Sequence, residues 1–307
     1  GRLSEAEELY QRVLISAPRH PAALHFLGLL TQEIGELDIA VELIDAAVAL
    51  RPDYIEAYCN LGGVFCDLDR WDDAAECLRK ALSLEPGFVE ARINLGIILQ
   101  ESGRMDEAAA QYEKALAYAP ESAEAYFNLG NAFRKMKKPR DAISSYRNAI
   151  ENAPDYADAY INLGLVLHTE RRFDEAIVNY EKALAIVPDY VQAHINLGIT
   201  FKEMGRLDDA IRSYRRALSI HPGNAEAHFN LGNALQEQWD LNAAIARYTV
   251  ALKIDPENSK YNSAMGLALI KAGRHEEGLK HQHIGAGVIS FDIDSGVRIH
   301  FGGQVRG

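Results

Sequence analysis

Proline recurs at an interval of 34 residues, at Pro18, Pro52, Pro86, Pro120, Pro154, Pro188, Pro222 and Pro256. Glycine keeps the same interval at Gly28, Gly62, Gly96, Gly130, Gly164, Gly198, Gly232 and Gly266. So strict a period describes a stack of one small element, not a single globule. In such a stack each repeat packs only on its neighbours, so the chain presents an extended surface suited to binding.

With the proline placed at position 32 of the repeat, complete repeats fall at 21–54, 55–88, 89–122, 123–156, 157–190, 191–224 and 225–258. A partial repeat, 1–20, precedes them and matches only the second half of the pattern, as if the natural chain continued upstream. A decaying repeat, 259–283, follows, and 284–307 form a separate tail.

Each repeat reads as two helices. In the first, alanine at position 3 (Ala57, Ala91, Ala125, Ala159, Ala193, Ala227) and leucine at position 7 (Leu27, Leu61, Leu95, Leu129, Leu163, Leu197, Leu231) form one apolar stripe. Glycine at position 8 costs about 1 kcal/mol in a helix against alanine, so its recurrence implies a close neighbour. The second helix opens with acids that suit the helix dipole, Asp38, Asp72, Asp106, Asp174 and Asp208. It carries alanine at positions 20 and 27 and a large residue at position 24, from Tyr112 to Tyr248, expected to fill the space between repeats. Proline then stops the helix, and Asp53, Asp155 and Asp189 stand where they would cap the next one.

These residues resemble the tetratricopeptide repeat over roughly residues 1–280. The resemblance implies an all-α, right-handed superhelical solenoid of helix-turn-helix repeats whose first helices line a groove. Position 4 departs from the tryptophan frequent in that family, with Tyr58, Arg92, Tyr126, Tyr160, His194 and His228.

Positions 2, 6, 9 and 13 of the first helix form a second stripe, which the family places toward the groove. Position 6 is asparagine in six repeats: Asn60, Asn94, Asn128, Asn162, Asn196 and Asn230, with Asn131 and Asn233 added at position 9. Asparagine offers a donor and an acceptor on one short arm, so such a ladder pairs with an extended peptide backbone, or bonds locally between adjacent repeats. The ladder resembles that of the repeat arm of O-GlcNAc transferases, which implies extended protein substrates. Acids at position 2 (Glu56, Glu90, Glu124, Asp158, Glu226) suit a first helical turn. Those at position 13 (Glu33, Asp67, Glu101, Glu203, Glu237) lie at the unfavourable end of the helix dipole, and predict a groove that prefers basic or neutral segments. At position 5, Ile93, Phe127, Ile161, Ile195 and Phe229 predict shallow apolar pockets, and the absence of lysine from positions 2 and 5 of these repeats argues against a carboxylate clamp.

Composition narrows the function classes further. A net charge of −12 disfavours nucleic acid and anionic membranes as partners. No apolar run approaches the ~20 residues that span a bilayer, and the opening residues read as the second half of a repeat rather than as a signal peptide. Three cysteines, Cys59, Cys66 and Cys77, form no disulfide framework and fit a reducing, cytoplasmic setting. His275, His281 and His283 match no metal-binding spacing, no catalytic motif appears, and no cofactor is expected. The basic stretch 133–141 falls on a turn, with Pro139 placed to start a helix.

In the tail, Ile289, Phe291 and Ile293 alternate with polar residues, as do Val297, Ile299 and Phe301, around a turn signal at Asp294-Ser295-Gly296. This predicts a short β-hairpin with one apolar face, packed on the last repeat, on a partner or on a second copy. The expected function is a non-catalytic scaffold or adaptor that binds extended peptide segments. The alternatives are the substrate-recognition arm of a larger enzyme such as a protein O-glycosyltransferase, and a self-assembling scaffold.

Overall fold

The computed structural model of the 307-residue chain describes residues 2–286, 288–292 and 296–300, with side chains for residues 6–284. By internal contacts the chain divides into two compact bodies, Gly1–Pro154 and Asp155–Gly307. Each is an all-α stack of antiparallel helix pairs. The first body holds α1 (Arg2–Ser16), then the pairs α2 (Pro21–Glu33) with α3 (Leu37–Leu50), α4 (Ile55–Asp67) with α5 (Trp71–Leu84), α6 (Val89–Glu101) with α7 (Met105–Tyr118), and α8 (Ala123–Lys135) with α9 (Pro139–Asn152). The second holds α10 (Ala157–Thr169) with α11 (Phe173–Ile186), α12 (Val191–Glu203) with α13 (Leu207–Ile220), α14 (Ala225–Glu237) with α15 (Leu241–Ile254), and α16 (Ser259–Lys271) with α17 (His275–Ala286). Two short strands follow, β1 (Val288–Asp292) and β2 (Gly296–His300), paired antiparallel with Ile289 opposite Ile299. The side chains of their apolar positions lie outside the described residues.

The core is built from the periodic positions. The position 3 alanines from Ala57 to Ala227 and the position 20 alanines from Ala40 to Ala244 are fully buried, which lets helices approach closely. The glycine at position 8 makes room for the residue at position 24 of the same repeat. A Cβ at Gly130 would lie 2.6 Å from Tyr146 Cε1, and one at Gly164 would lie 2.6 Å from Tyr180 Cε1. The tyrosine thus packs first on its own repeat rather than only between repeats.

Turn chemistry differs from the sequence reading at one point. Asp53, Asp155 and Asp189 are not caps: the N-caps of α4, α10 and α12 are Tyr54, Tyr156 and Tyr190, one residue later, and none bonds the helix through its side chain. Where position 34 is Ser122 or Asn224, its side chain does accept the Ala125 or Ala227 N–H. Asp189 instead pairs with Arg216. Pro139 does begin α9. Between the two helices of each repeat, position 15 is left-handed whatever its identity: Gly35, Gly103, Gly205 and Gly273, but also Asp69, Lys137, Arg171 and Trp239.

Position 4 has a role that the departure from tryptophan hid. Arg92 Nε and Nη2 donate to the Pro86 carbonyl, and His194 Nε2 and His228 Nε2 do the same to Pro188 and Pro222 at 3.0 and 2.9 Å. Asn262 Nδ2 reaches the Pro256 carbonyl at 2.9 Å. In these four repeats a polar side chain at position 4 ties the first helix to the turn that precedes it.

Candidate functional site

The stripe at positions 2, 6, 9 and 13 lies on the solvent side of the first helices in both bodies. Position 2 is exposed in every complete repeat from Glu56 to Glu226, and the position 6 asparagines from Asn60 to Asn230 are half-buried or exposed. The stripe is continuous within each body, but its side chains are not equally free.

In the first body, Asn60 Nδ2 lies 2.8 Å from Nε2 of the buried His25, whose Nδ1 is 2.9 Å from the Tyr54 hydroxyl. An amide nitrogen can only donate, so His25 Nε2 accepts and Nδ1–H donates to Tyr54. Burial lowers the pKa of His25 below the ordinary histidine value, which keeps the ring neutral in this arrangement. Asn60 therefore bonds locally between adjacent repeats. Asn131 Oδ1 accepts from the Tyr146 hydroxyl at 2.8 Å. Asn94 and Asn128 have no side-chain hydrogen-bond partner among the described residues, and Asn94 is exposed. In the second body, Asn162 is half-buried. Asn196 Oδ1 accepts from Gln192, and Asn233 Oδ1 accepts from the Tyr248 hydroxyl at 2.8 Å. Asn230 is half-buried and has no such partner among the described residues.

Three of the five position 13 acids, Asp67, Glu101 and Glu237, are paired with the neighbouring repeat. Asp67 accepts from Gln32 at 2.7 Å and Glu101 pairs with Lys135 at 3.4 Å. In the second body Glu203 stands 3.5 Å from His168 Nε2, and Glu237 pairs with Lys202 at 3.2 Å. Such cross-repeat pairing offsets the unfavourable helix dipole at these positions, and no single repeat could reveal it. At position 2, Asp158 accepts a short hydrogen bond from the Tyr190 hydroxyl, and this bond is the main cause that pushes the Tyr190 pKa up to about 12. Glu56, Glu90, Glu124 and Glu226 are exposed and in no ion pair among the described residues.

Position 5 corrects the expected apolar pockets. Ile93, Ile161 and Ile195 are buried core residues and present nothing to a ligand. Phe127 and Phe229 are half-buried; they lie 6.0 Å, centroid to centroid, from Tyr146 and Tyr248, and Phe229 also lies 4.8 Å from Tyr261.

Nothing among the described residues forms a metal-binding group of His, Cys, Asp or Glu. The three cysteines are free thiols. Burial raises the pKa of each, Cys59 to about 11 and Cys77 to about 12, which suppresses the nucleophilic thiolate. No helix among the described residues is long and apolar enough to cross a membrane.

Family models described as tetratricopeptide repeat match residues 1–55, 55–88, 89–155, 155–220 and 201–267. No curated protein matches the chain. Among solved structures, the crystal structure of MamA is 30% identical with a TM-score of 0.50, over 53% of this chain and 95% of that one. A structure described as YrrB, a TPR protein with an unusual peptide-binding site, is 22% identical with a TM-score of 0.50, over 61% of this chain and 96% of that one. The APC/C hetero-tetramer Cut9-Hcn1 is 17% identical with a TM-score of 0.60, over 87% of this chain and 52% of that one. The last two likenesses are of fold alone.

Proposed function

We propose that this chain, which belongs to the tetratricopeptide-repeat family, is a non-catalytic protein-interaction scaffold that holds extended peptide segments along the asparagine-bearing face of its first helices. The observation that carries the reading is the state of Asn94, Asn128 and Asn230, which recur at one position without an intramolecular partner among the described residues. Asn60, Asn131 and Asn233 each have a polar atom met inside the fold, whereas the carboxamides of Asn94, Asn128 and Asn230 are left to water or a ligand. A free carboxamide on a solvent-facing helix matches both the N–H and the C=O of a peptide backbone, whatever the peptide's side chains. Phe127 and Phe229 supply half-buried rings beside it. YrrB, which shares the fold, is titled for its peptide-binding site. Three free thiols suit a reducing, cytoplasmic setting.

The test uses the purified chain and a library of unstructured peptides. Each lost hydrogen bond removes about 1 kcal/mol, so changing Asn94, Asn128 and Asn230 together to alanine is expected to weaken groove ligands by up to about two orders of magnitude. Circular dichroism checks that the variant remains folded. Ligands that bind wild type and variant equally would show the asparagines to be structural.

A further inference from the structure

In the second body, two arginines without a partner share one cleft on the side of α14 away from its asparagines. Leu231 and Leu235 stand at positions 7 and 11 of that helix, opposite the stripe at positions 2, 6, 9 and 13. With Arg215 and Leu218 of α13, and Ala243 and Arg247 of α15, they line a cleft of about 390 Å³. The other arginines of α13 are matched. Arg206, its N-cap, and Arg212 both pair with Asp209, and Arg216 pairs with Asp189. Arg215 is exposed and Arg247 half-buried, and neither is in an ion pair or hydrogen bond among the described residues.

Comparison between repeats explains why Arg215 is unmatched. Position 25 of one repeat and position 19 of the next line the same cleft; in the first body they are Asp45 and Asp73. Where position 25 is basic, the acid at position 19 answers it. A hydrogen bond from Arg104, and with it the charge of Arg79 at position 25, holds the Glu107 carboxyl at position 19 below the usual carboxylate range. Position 19 is acidic in every repeat from Asp73 to Asp209, and again at Glu277, but it is Ala243 opposite Arg215. Position 23 adds Arg247. The acid one turn earlier, Asp240, is the N-cap of α15 and accepts the Ala243 N–H at 3.1 Å. The cleft has thus lost its own carboxylate while keeping one base and gaining another.

We propose that this cleft binds a carboxylate side chain, glutamate or aspartate, that a partner protein presents beside an apolar residue. A guanidinium offers its N–H donors as a planar fork, which a carboxylate meets with both oxygens. Arg215 and Arg247 supply two such forks, and half-buried Leu218 receives the apolar neighbour. A polyanion does not suit the site, because the chain carries a net charge of −12 and Asp189 and Asp209 flank the other arginines of α13. The site lies across α14 from the asparagines, so it goes beyond the peptide-binding reading and does not depend on it.

The experiment is an NMR titration of the whole chain, isotope-labelled at arginine, with a serine–glycine peptide that carries one leucine–glutamate pair and with its leucine–glutamine counterpart. The glutamate peptide is expected to bind about tenfold tighter at low salt, as two partly exposed charge pairs allow. It is also expected to shift the Nε–H signals of Arg215 and Arg247. Arg215→Gln and Arg247→Gln should each remove most of the preference. Ala243→Glu restores the acid that the repeats from Asp73 to Asp209 carry, and is expected to abolish the preference while circular dichroism stays unchanged. Arg79→Gln, at the same repeat position but beside Glu107, should leave binding as it is, and so should the triple alanine variant of Asn94, Asn128 and Asn230. Equal binding of the two peptides, no binding of either, or a preference that survives Ala243→Glu would overturn the inference. Loss of the preference in the asparagine variant would place the peptide on the other face and overturn it as well.

Discussion

Two glycines of one repeat carry the same substitution to different ends. Gly198 lies inside α12 and Gly205 just beyond its end. At Gly205 φ is +74° and nothing lies within 4 Å of an added Cβ, so alanine there meets only backbone strain. Left-handed backbone costs an L-residue about 1–2 kcal/mol, and that is the expected loss for Gly205→Ala. At Gly198 the backbone is helical and alanine would gain about 1 kcal/mol in propensity. Its Cβ, however, would lie 2.5 Å from Tyr214 Cε1 and 2.8 Å from Cδ1, on a ring that is fully buried. Overpacking of this kind costs about 1–3 kcal/mol, so Gly198→Ala is expected to destabilise on balance by up to about 2 kcal/mol. The protein supplies its own comparison: repeat 55–88 has Leu78 at position 24, and there a Cβ at Gly62 would stand 3.3 Å from the Ala74 carbonyl oxygen and 3.5 Å from Leu78 Cγ, a far milder approach than the one at Gly198. In a Tyr214→Leu background Gly198→Ala is therefore expected to become neutral or stabilising, while the cost of Gly205→Ala stays unchanged. Urea unfolding followed by circular dichroism gives the midpoints, and amide exchange across α12 and α13 localises the effect, since repeat arrays need not unfold in two states. An equal cost of Gly198→Ala in both backgrounds would refute the steric account.

Burial lowers the pKa values of His25, His194, His228 and His281 below the ordinary value. Neutral imidazole is thus favoured by the fold. The stability it confers is present above about pH 6.5 and is lost as pH falls through the lower folded values. The urea midpoint is expected to drop between about pH 7.5 and pH 5, and a flat profile would contradict this. Replacing Arg92 by alanine removes both bonds to the Pro86 carbonyl. The expected cost is about 1–2 kcal/mol in the same unfolding assay, with lysine restoring only part because it lacks the fork.

Much of the fold is legible because each repeat restates it. Alanine at positions 3, 20 and 27, glycine at 8 and tyrosine at 24 have one physical meaning each, and the buried alanines and the Gly130–Tyr146 contact agree with it. The turns are less legible. Gly35, Gly103, Gly205 and Gly273 announce a left-handed residue at position 15, but Asp69, Lys137, Arg171 and Trp239 adopt the same backbone where nothing in the residue type demands it. The expected caps failed for a related reason. An aspartate after proline suits a cap by composition, yet α4 begins a residue later, at Ile55, and leaves Asp53 outside.

The candidate face is legible as a stripe but not as a set of available groups, and the reason is sequence distance. What occupies Asn60 is His25, and what occupies Asp67 is Gln32, each 35 residues away. Pattern within one repeat cannot see such partners, because they depend on which variable residues the stack brings together. Conversely, Asn94 and Asn128 look like Asn60 in the sequence and differ only in what their neighbours fail to supply. The scaffold positions are nearly uniform, so they cannot distinguish one ligand from another. The groups left unmet differ from repeat to repeat: in the first body Ile97 leaves the Tyr112 hydroxyl without the acceptor that Asn131 gives Tyr146.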